Sequence, residues 1–360
     1  MPNTPPNNST RRHFLCASAA TVAAAFLPPS LRGVEAGPQR PAPRNAFSYR
    51  FNIGDIEAYS ISDGSMLLRE GLDLMWPEAA RPTMRDDLIA RGERTDALPL
   101  YVNILLLKIG RELVIFDGGF GPGKNPERGW VATALAELGL APAQITHAFL
   151  SHAHVDHIGG FVTGNRAVFP NAAVYCLREE VDFWRSPTPD FSRSKRAKGP
   201  LPGMIKDARE KFDVLQPNLQ FLRDGDSVLG GAVTLLAAPG HTSGHAIFRI
   251  KSGRDSLLHF MDVAHHHTLM FTDPTWGIAY DHEPAQAIHT RQKLFTELAH
   301  THERAYGFHL PWPGLGRIAQ TERGFSWQSE RWSWGLKLQR RQTQLQPTSL
   351  RAARLPALST

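Results

Sequence analysis

Three histidines and an aspartate fall within six residues of this chain: His152, His154, Asp156 and His157, in the stretch that ends at Gly159 and Gly160. Neutral imidazoles and a carboxylate are the donors taken by zinc and other divalent first-row ions. A lone loop histidine is usually just solvated. Four donors this dense behind an apolar strand are not explained that way. Such a site does its chemistry on a water activated by the bound cation, so that no serine or cysteine nucleophile is needed.

The elements that must position these groups can be read from the flanks. Residues 145–150 are apolar and β-branched, and predict a buried strand that delivers the donors at its carboxyl end. His152 and His154 are two apart, so in extended backbone they project to one side, and Asp156 and His157 follow as the chain turns. Upstream, alternation over 55–61 predicts a strand closed by a turn at Asp63-Gly64-Ser65. Residues 101–108 and 112–116 predict two more strands, and 128–138 a helix. Downstream, strands are expected over 171–177, 219–222, 233–238, 246–250 and 257–261. Helices are expected over 178–184 and 284–299, the latter with Ala287, Ile288, Leu294 and Leu298 facing inward. Residues 186–203 hold four prolines and the cations Arg193, Lys195, Arg196 and Lys198. They read as a loop with a solvated charge run, long enough to serve as a lid. Strands in two batches, each followed by helix, predict an α/β architecture: an αββα sandwich of two mixed sheets flanked by helices.

The chain has 360 residues, of which 42% are hydrophobic and 21% charged, as in a soluble globular protein. Its formal charge of +6 belongs to the ends. Residues 1–36 carry Arg11, Arg12 and Arg32 against Glu35. Residues 331–360 carry Arg331, Lys337, Arg340, Arg341, Arg351 and Arg354 against no acid, which leaves −2 for the body. Nucleic-acid binding by the body therefore has no support. Arg11-Arg12-His13-Phe14-Leu15 followed by a short apolar run predicts a twin-arginine signal over 1–36, hence a periplasmic or secreted protein handled by the twin-arginine export machinery. That run is too short for stable membrane insertion. Residues 37–50 read as a linker, 51–330 as the catalytic domain and 331–360 as a basic, disordered tail. Cys176 is the one cysteine left after loss of Cys16, and its strand context predicts a buried small hydrophobe.

The spacing His-x-His-x-Asp-His resembles the signature of the metallo-β-lactamase superfamily. Three later strand ends each offer one more group at the places where that family carries ligands: His241, Asp262 and His309. The resemblance spans roughly residues 51–327. It implies one metal on His152, His154 and His241, another on Asp156, His157 and His309, and Asp262 bridging them. The implied cofactors are two divalent ions, zinc first, with iron, manganese or cobalt as alternatives. The implied reaction is attack by a hydroxide generated between them on a lactone, carboxyl ester or phosphotriester, with Asp156 orienting the water and shuttling its proton.

Residues 169–172, 182–184 and 309–316 resemble the methyl parathion hydrolase branch, and related signal-lactone hydrolases share the metal motif. By that resemblance Asp117 accepts the outer N–H of a ligand histidine, Trp184 and Phe120 line the pocket, with Trp184 read as readily as an ordinary core anchor, and Met261 stands where the family usually has glycine. Lactonases resembling this chain have a tyrosine three residues beyond the bridging aspartate. Here His265 holds that place and could donate a hydrogen bond to the substrate oxygen, against the plainer expectation that His265, His266 and His267 form an exposed loop. His147, His259, His289 and His302 are read as structural or exposed. A small-molecule substrate is expected, with self-association into a homodimer as a further expectation. The competing functions are an iron-dependent oxidoreductase or dioxygenase of the same fold, a β-lactamase, and a non-enzymatic binding module.

Overall fold

A computed structural model describes residues 48–331, apart from 78–80 and 124. The signal, most of the linker and all but the first residue of the tail lie outside the described residues. Alternating apolar side chains build the first sheet from β1 (Ser48–Ile53), β2 (Ile56–Arg69), β3 (Ala97–Ile109), β4 (Glu112–Phe116) and β5 (His147–Phe149). A two-residue pair, β6 (Val162–Thr163) and β7 (Arg166–Ala167), stands apart, and β8 (Ala173–Leu177) and β9 (Leu219–Leu222) complete the sheet in the order β1-β2-β3-β4-β5-β8-β9. The second sheet runs in sequence order: β10 (Ser227–Val228), β11 (Val233–Ala237), β12 (Ala246–Ser252), β13 (Asp255–His259), β14 (Arg304–Tyr306), β15 (Leu315–Gln320) and β16 (Phe325–Ser329). Both sheets are mixed. β4, β5, β8 and β9 pair in parallel, as do β13 and β14, and the other pairings are antiparallel.

The sheets pack face to face through aromatic side chains. The ring of Phe248 lies 5.2 Å from Phe116 and 5.3 Å from Phe149, and these two stack at 5.0 Å. Such pairs contribute about 0.5–1.5 kcal/mol each beyond the area they bury. Ser60 and Tyr306 close a buried hydrogen bond of 2.8 Å between the sheets. The flanking helices are α1 (Gly71–Met75), α2 (Arg81–Ala90), α3 (Val131–Glu137), α4 (Val155–Ile158), α5 (Arg178–Arg185), α6 (Leu201–Leu215), α7 (Leu269–Thr272) and α8 (Pro284–Thr301). The αββα expectation and most element positions match this architecture. Among the described residues no helix is long and apolar enough to cross a membrane.

Three local expectations are corrected. The turn at Asp63-Gly64-Ser65 is instead an irregularity inside the long strand β2. Asp63 is drawn inward because its carboxylate accepts the N–H groups of Phe120 (2.8 Å) and Val131 (2.9 Å), which caps the start of α3. The first strand begins at Ser48 and takes in the last three residues of the stretch read as linker. Helix α6 begins inside the expected loop at Leu201, since a proline in the first turn of a helix loses no hydrogen bond there.

Candidate metal centre

Every candidate donor leaves the sheets at a strand's carboxyl end, the edge where α/β sheets place their ligands. β4 runs into Asp117, β5 into His152 and His154, β11 into His241, β13 into Asp262 and β14 into His309. Helix α4 starts just after His154 and turns Asp156 and His157 back toward the same point. This turn needs close backbone approach, because a Cβ on Gly160 would come 1.8 Å from the carbonyl oxygen of Gly118. Met261, where the resemblance puts glycine, is held at φ +47° while fully buried, a left-handed strain confined by packing beside Asp262.

The seven residues form two groups that share one carboxylate. Nε2 of His152 lies 3.0 Å from Nδ1 of His154, which lies 2.9 Å from Nε2 of His241. Asp262 Oδ2 stands 3.2 Å from His241 Nε2 and 3.6 Å from His152 Nε2. In the other group, His309 Nε2 is 3.5 Å from Asp156 Oδ2 and 3.3 Å from Asp262 Oδ2, and His157 Nε2 is 3.3 Å from Asp262 Oδ1. Asp156 Oδ2 is 3.8 Å from His157 Nε2.

The outer ring nitrogens decide what these inner atoms can do. His157 Nδ1 meets Asp117 Oδ2 at 2.7 Å, His241 Nδ1 meets Asp281 Oδ1 at 2.9 Å, and His309 Nδ1 meets the carbonyl of Tyr101 at 2.7 Å. Each partner only accepts, so each outer nitrogen carries the hydrogen and each inner nitrogen presents a lone pair. His152 follows at one remove. Ser151 Oγ donates to Asp117 Oδ2 (2.6 Å) and can accept from His152 Nδ1 (3.0 Å). His157 Nε2 and Asp262 Oδ1 are buried, face each other and have no hydrogen-bond partner. Lone pairs and carboxylates converging this closely in a buried site repel one another unless a cation lies between them, so the donor set fits divalent metal.

Without a cation, the protein itself must absorb the charge. Burial opposes ionisation of His157, yet the carboxylates of Asp262, Asp156 and Asp117 raise its pKa well above the usual histidine range. Burial also opposes the charge on Asp262, while His157, His309 and His265 hold its pKa well below the usual carboxylate range.

Several residues given no role by the sequence hold the centre in place. His245 Nδ1 donates to the carbonyl of Ala238 (2.9 Å), which leaves Nε2 to accept the backbone N–H of Asp262 (3.2 Å). Glu180, fully buried, accepts from Ala153 N (2.8 Å), Trp184 Nε1 (2.7 Å), Thr242 Oγ1 (2.5 Å) and Gly244 N (3.1 Å). It thereby ties the His152–His154 segment to the His241 loop. The two come so close that a Cβ on Gly244 would lie 2.1 Å from the backbone nitrogen of Glu180. Nothing local in the sequence marks Glu180, which reaches Thr242 and Gly244, or Asp281, which reaches His241, because those partners are 40 or more residues away.

Other expectations change. Trp184 is fully buried with its indole N–H on Glu180, and the ring of Phe120 is covered by the guanidinium of Arg128 at 4.3 Å. Neither lines the cavity over the centre, because each is engaged by a neighbour within the fold. That cavity holds about 220 Å³ and is walled by Met66, Leu68, Leu100 and Met204 on its apolar side. Among its polar walls are Asp156, Arg196, His265 and Tyr280, so Arg196 is not part of a solvated charge run. His265 and His266 are buried rather than exposed. His265 Nε2 approaches Asp262 Oδ2 at 3.0 Å. His266 Nδ1 accepts the N–H groups of Thr268 and Leu269, so its hydrogen lies on Nε2, which faces Glu93 Oε2 at 3.7 Å. Glu93 also takes Thr268 Oγ1 as a donor and faces His267 Nε2 at 3.3 Å, so the trio Glu93, His266 and His267 is held by contacts within the fold.

Burial lowers the pKa of His259 and of His266 to about 3, against 6.5 for a free histidine. Both are neutral when folded and bind protons on unfolding, so their share of stability is present above pH 6.5 and is lost as pH falls. Each contributes a slope that rises to about 1.4 kcal/mol per pH unit below pH 6.5, which integrates to roughly 3 kcal/mol for the two together between pH 7.5 and 5.5. The urea midpoint of chelator-treated protein should drop over that interval. A constant or rising midpoint would show that these histidines are not buried neutral.

Known proteins share this frame. Residues 97–309 match the metallo-beta-lactamase superfamily. AidC, a dizinc quorum-quenching lactonase solved with a product N-hexanoyl-L-homoserine, superposes with a TM-score of 0.76 at 31% identity, over 79% of this chain and 98% of that one. The hydrolase AbOPH of the beta lactamase superfamily gives a TM-score of 0.73 at 25% identity, over 80% and 99%. The N-acyl homoserine lactonase of Bacillus cereus is 25% identical over 151 residues, covering 40% of this chain and 50% of that protein. The lactonase AttM of Azorhizobium caulinodans is 32% identical over 137 residues, covering 37% and 45%. The chain thus spans about half the length of these two curated relatives. With more than half of its own length matched and the same two-sheet frame in its structural neighbours, the chain belongs to the metallo-beta-lactamase superfamily.

Proposed function

We propose that the protein is a dinuclear metallo-hydrolase of lactones or related carboxyl esters. The observation that carries this reading is the pair of donor groups sharing Asp262, with the lone pairs of His157, His241 and His309 aimed inward by outer hydrogen bonds. His152, His154 and His241 would hold one ion, Asp156, His157 and His309 the other, and Asp262 both. Two divalent ions in such a site supply a hydroxide nucleophile near neutral pH and polarise the substrate's carbonyl oxygen. The lactone or ester class is favoured by the lactonase AidC and the lactonases of Bacillus and Azorhizobium, and by a half-apolar cavity that suits an acyl chain.

The chain's own groups divide the remaining work. Asp156 lines the cavity with a carboxylate that can orient a water and pass its proton to the leaving alkoxide. Met66, Leu68, Leu100 and Met204 exclude water from the acyl side. His265 lines the cavity with its Nε2–H on Asp262 Oδ2 at 3.0 Å, and that N–H can be shared with the substrate oxygen where negative charge develops. His265→Ala is expected to keep its metal and lower kcat by roughly a hundredfold. Normal metal content with unchanged kcat would remove His265 from the reaction.

The test of function is a set of assays on an N-acyl homoserine lactone, an aryl ester and a phosphotriester, before and after chelation and zinc return. Zinc-dependent lactone or ester hydrolysis supports the reading. A protein that turns over none of the three when zinc-loaded contradicts it. Twin-arginine export to the periplasm is proposed from residues 11–27 alone, and replacing Arg11 and Arg12 by Lys should retain the protein in the cytoplasm.

A further inference from the structure

Among the described residues, Arg196 is a cation at the cavity wall with no carboxylate in contact, Asp156 and Asp281 acting on it only from farther off. Its Nη2 lies 3.2 Å from His154 Nε2, its Nη1 reaches only the sulfur of Met204 at 3.5 Å, and its buried Nε has no partner. The ring of Tyr280 lies under the guanidinium, 4.6 Å from ring centroid to Cζ, and fixes its plane. Among the described residues no carboxylate stands within ion-pair distance of it. Asp207, which shares the cavity, is paired with Lys211. A half-buried guanidinium left this way gains from an anion that enters the cavity and pairs with it.

His154 sharpens the point. Its Nδ1 faces His152 and His241, so with that nitrogen as a metal donor Nε2 must carry the hydrogen. His152, His157, His241 and His309 all turn their outer nitrogen toward an acceptor. His154 alone turns it toward a donor, the guanidinium of Arg196. Two N–H groups opposed at 3.2 Å, one of them cationic, on the wall of one cavity lack only a shared acceptor.

We propose that Arg196 and His154 Nε2–H, with Tyr280 orienting the guanidinium, form an anion subsite one imidazole ring away from the metal centre, and that this subsite takes a carboxylate. The proposal rests on the reading of His154 Nδ1 as a metal donor. The planar guanidinium fork matches a carboxylate, and the imidazole N–H adds a further donor to it. Two sources supply that group: an acid-bearing ester or lactone, or the acid that hydrolysis of a neutral one releases. Met204 and Leu100 give the attached carbon chain an apolar wall.

The test compares zinc-loaded wild type, Arg196→Gln and Arg196→Lys. One arm titrates hexanoate by calorimetry. The other measures kcat/KM for a 4-nitrophenyl ester ending in a free carboxylate and for a neutral ester of equal length, and takes their ratio. Loss of one charge-assisted pair predicts a fall of about tenfold to a hundredfold in Arg196→Gln, partly restored in Arg196→Lys. A fall in the ratio assigns the subsite to the substrate's own carboxylate. A fall in hexanoate affinity alone assigns it to the product. Hexanoate affinity and ratio both within twofold of wild type in Arg196→Gln would overturn the proposal. If the wild type hydrolyses neither ester, the hydrolase reading fails by itself, and the calorimetric arm still decides whether Arg196 binds carboxylate.

Discussion

Asp262→Ala should lose most of its bound metal and at least about a thousandfold in kcat/KM. This one carboxylate touches both donor groups. Its Oδ1 faces His157, and its Oδ2 faces His241, His309 and His265 at 3.0–3.3 Å. Alanine removes the charge common to the two groups, and with it several kcal/mol of transition-state stabilisation that ions bound there would supply. Asp262→Asn keeps the volume and removes the charge, so it separates packing from ligation. Inductively coupled plasma mass spectrometry alongside steady-state kinetics reads both effects. Metal content and turnover within tenfold of wild type in Asp262→Ala would show that Asp262 does not hold the centre together.

The second large effect falls on stability. Glu180→Ala should destabilise the fold by about 5 kcal/mol, because it orphans four donors inside the protein, each costing about 1–3 kcal/mol when left unpaired. Burial raises the pKa of this carboxyl, and the four donors, Thr242 first among them, work against that rise. Glu180→Gln retains an acceptor on one side but turns amide hydrogens toward Ala153 and Trp184 or toward Thr242 and Gly244, so an intermediate loss is expected. Since Glu180 joins the His152–His154 segment to the His241 loop, metal affinity should fall along with the unfolding midpoint. A Glu180→Ala protein with the wild-type urea midpoint would mean that water replaces the carboxylate without cost.

The pattern of these contacts explains what could be read in the sequence. His152, His154, Asp156 and His157 are local, and their spacing carries their geometry. His241, Asp262 and His309 could be placed because each ends a strand whose apolar run is visible on its own. Glu180, Asp281 and His245 could not, because what makes them matter is a partner brought close by the sheets: Thr242 for Glu180, His241 for Asp281, the backbone of Asp262 for His245. Trp184, which packs edge-on against His154, and Phe120 were open to two readings for the opposite reason. Aromatic side chains near a site satisfy the core as readily as a pocket, and Glu180 and Arg128 had already engaged them. The helix Leu201–Leu215 was hidden by Pro200 and Pro202, which read as loop punctuation although a first turn accepts proline. Arg196 looked solvated in a run of cations, and only the fold turns it, alone of that run, into the cavity.

The central claim is that two ions are held by two donor groups sharing Asp262. Metal content per chain, measured on purified zinc-loaded wild type beside His309→Ala, tests it most directly. Two equivalents in the wild type, falling to about one in His309→Ala, is the result the two-group geometry requires. One equivalent or fewer in the wild type, or two retained without His309, would contradict it.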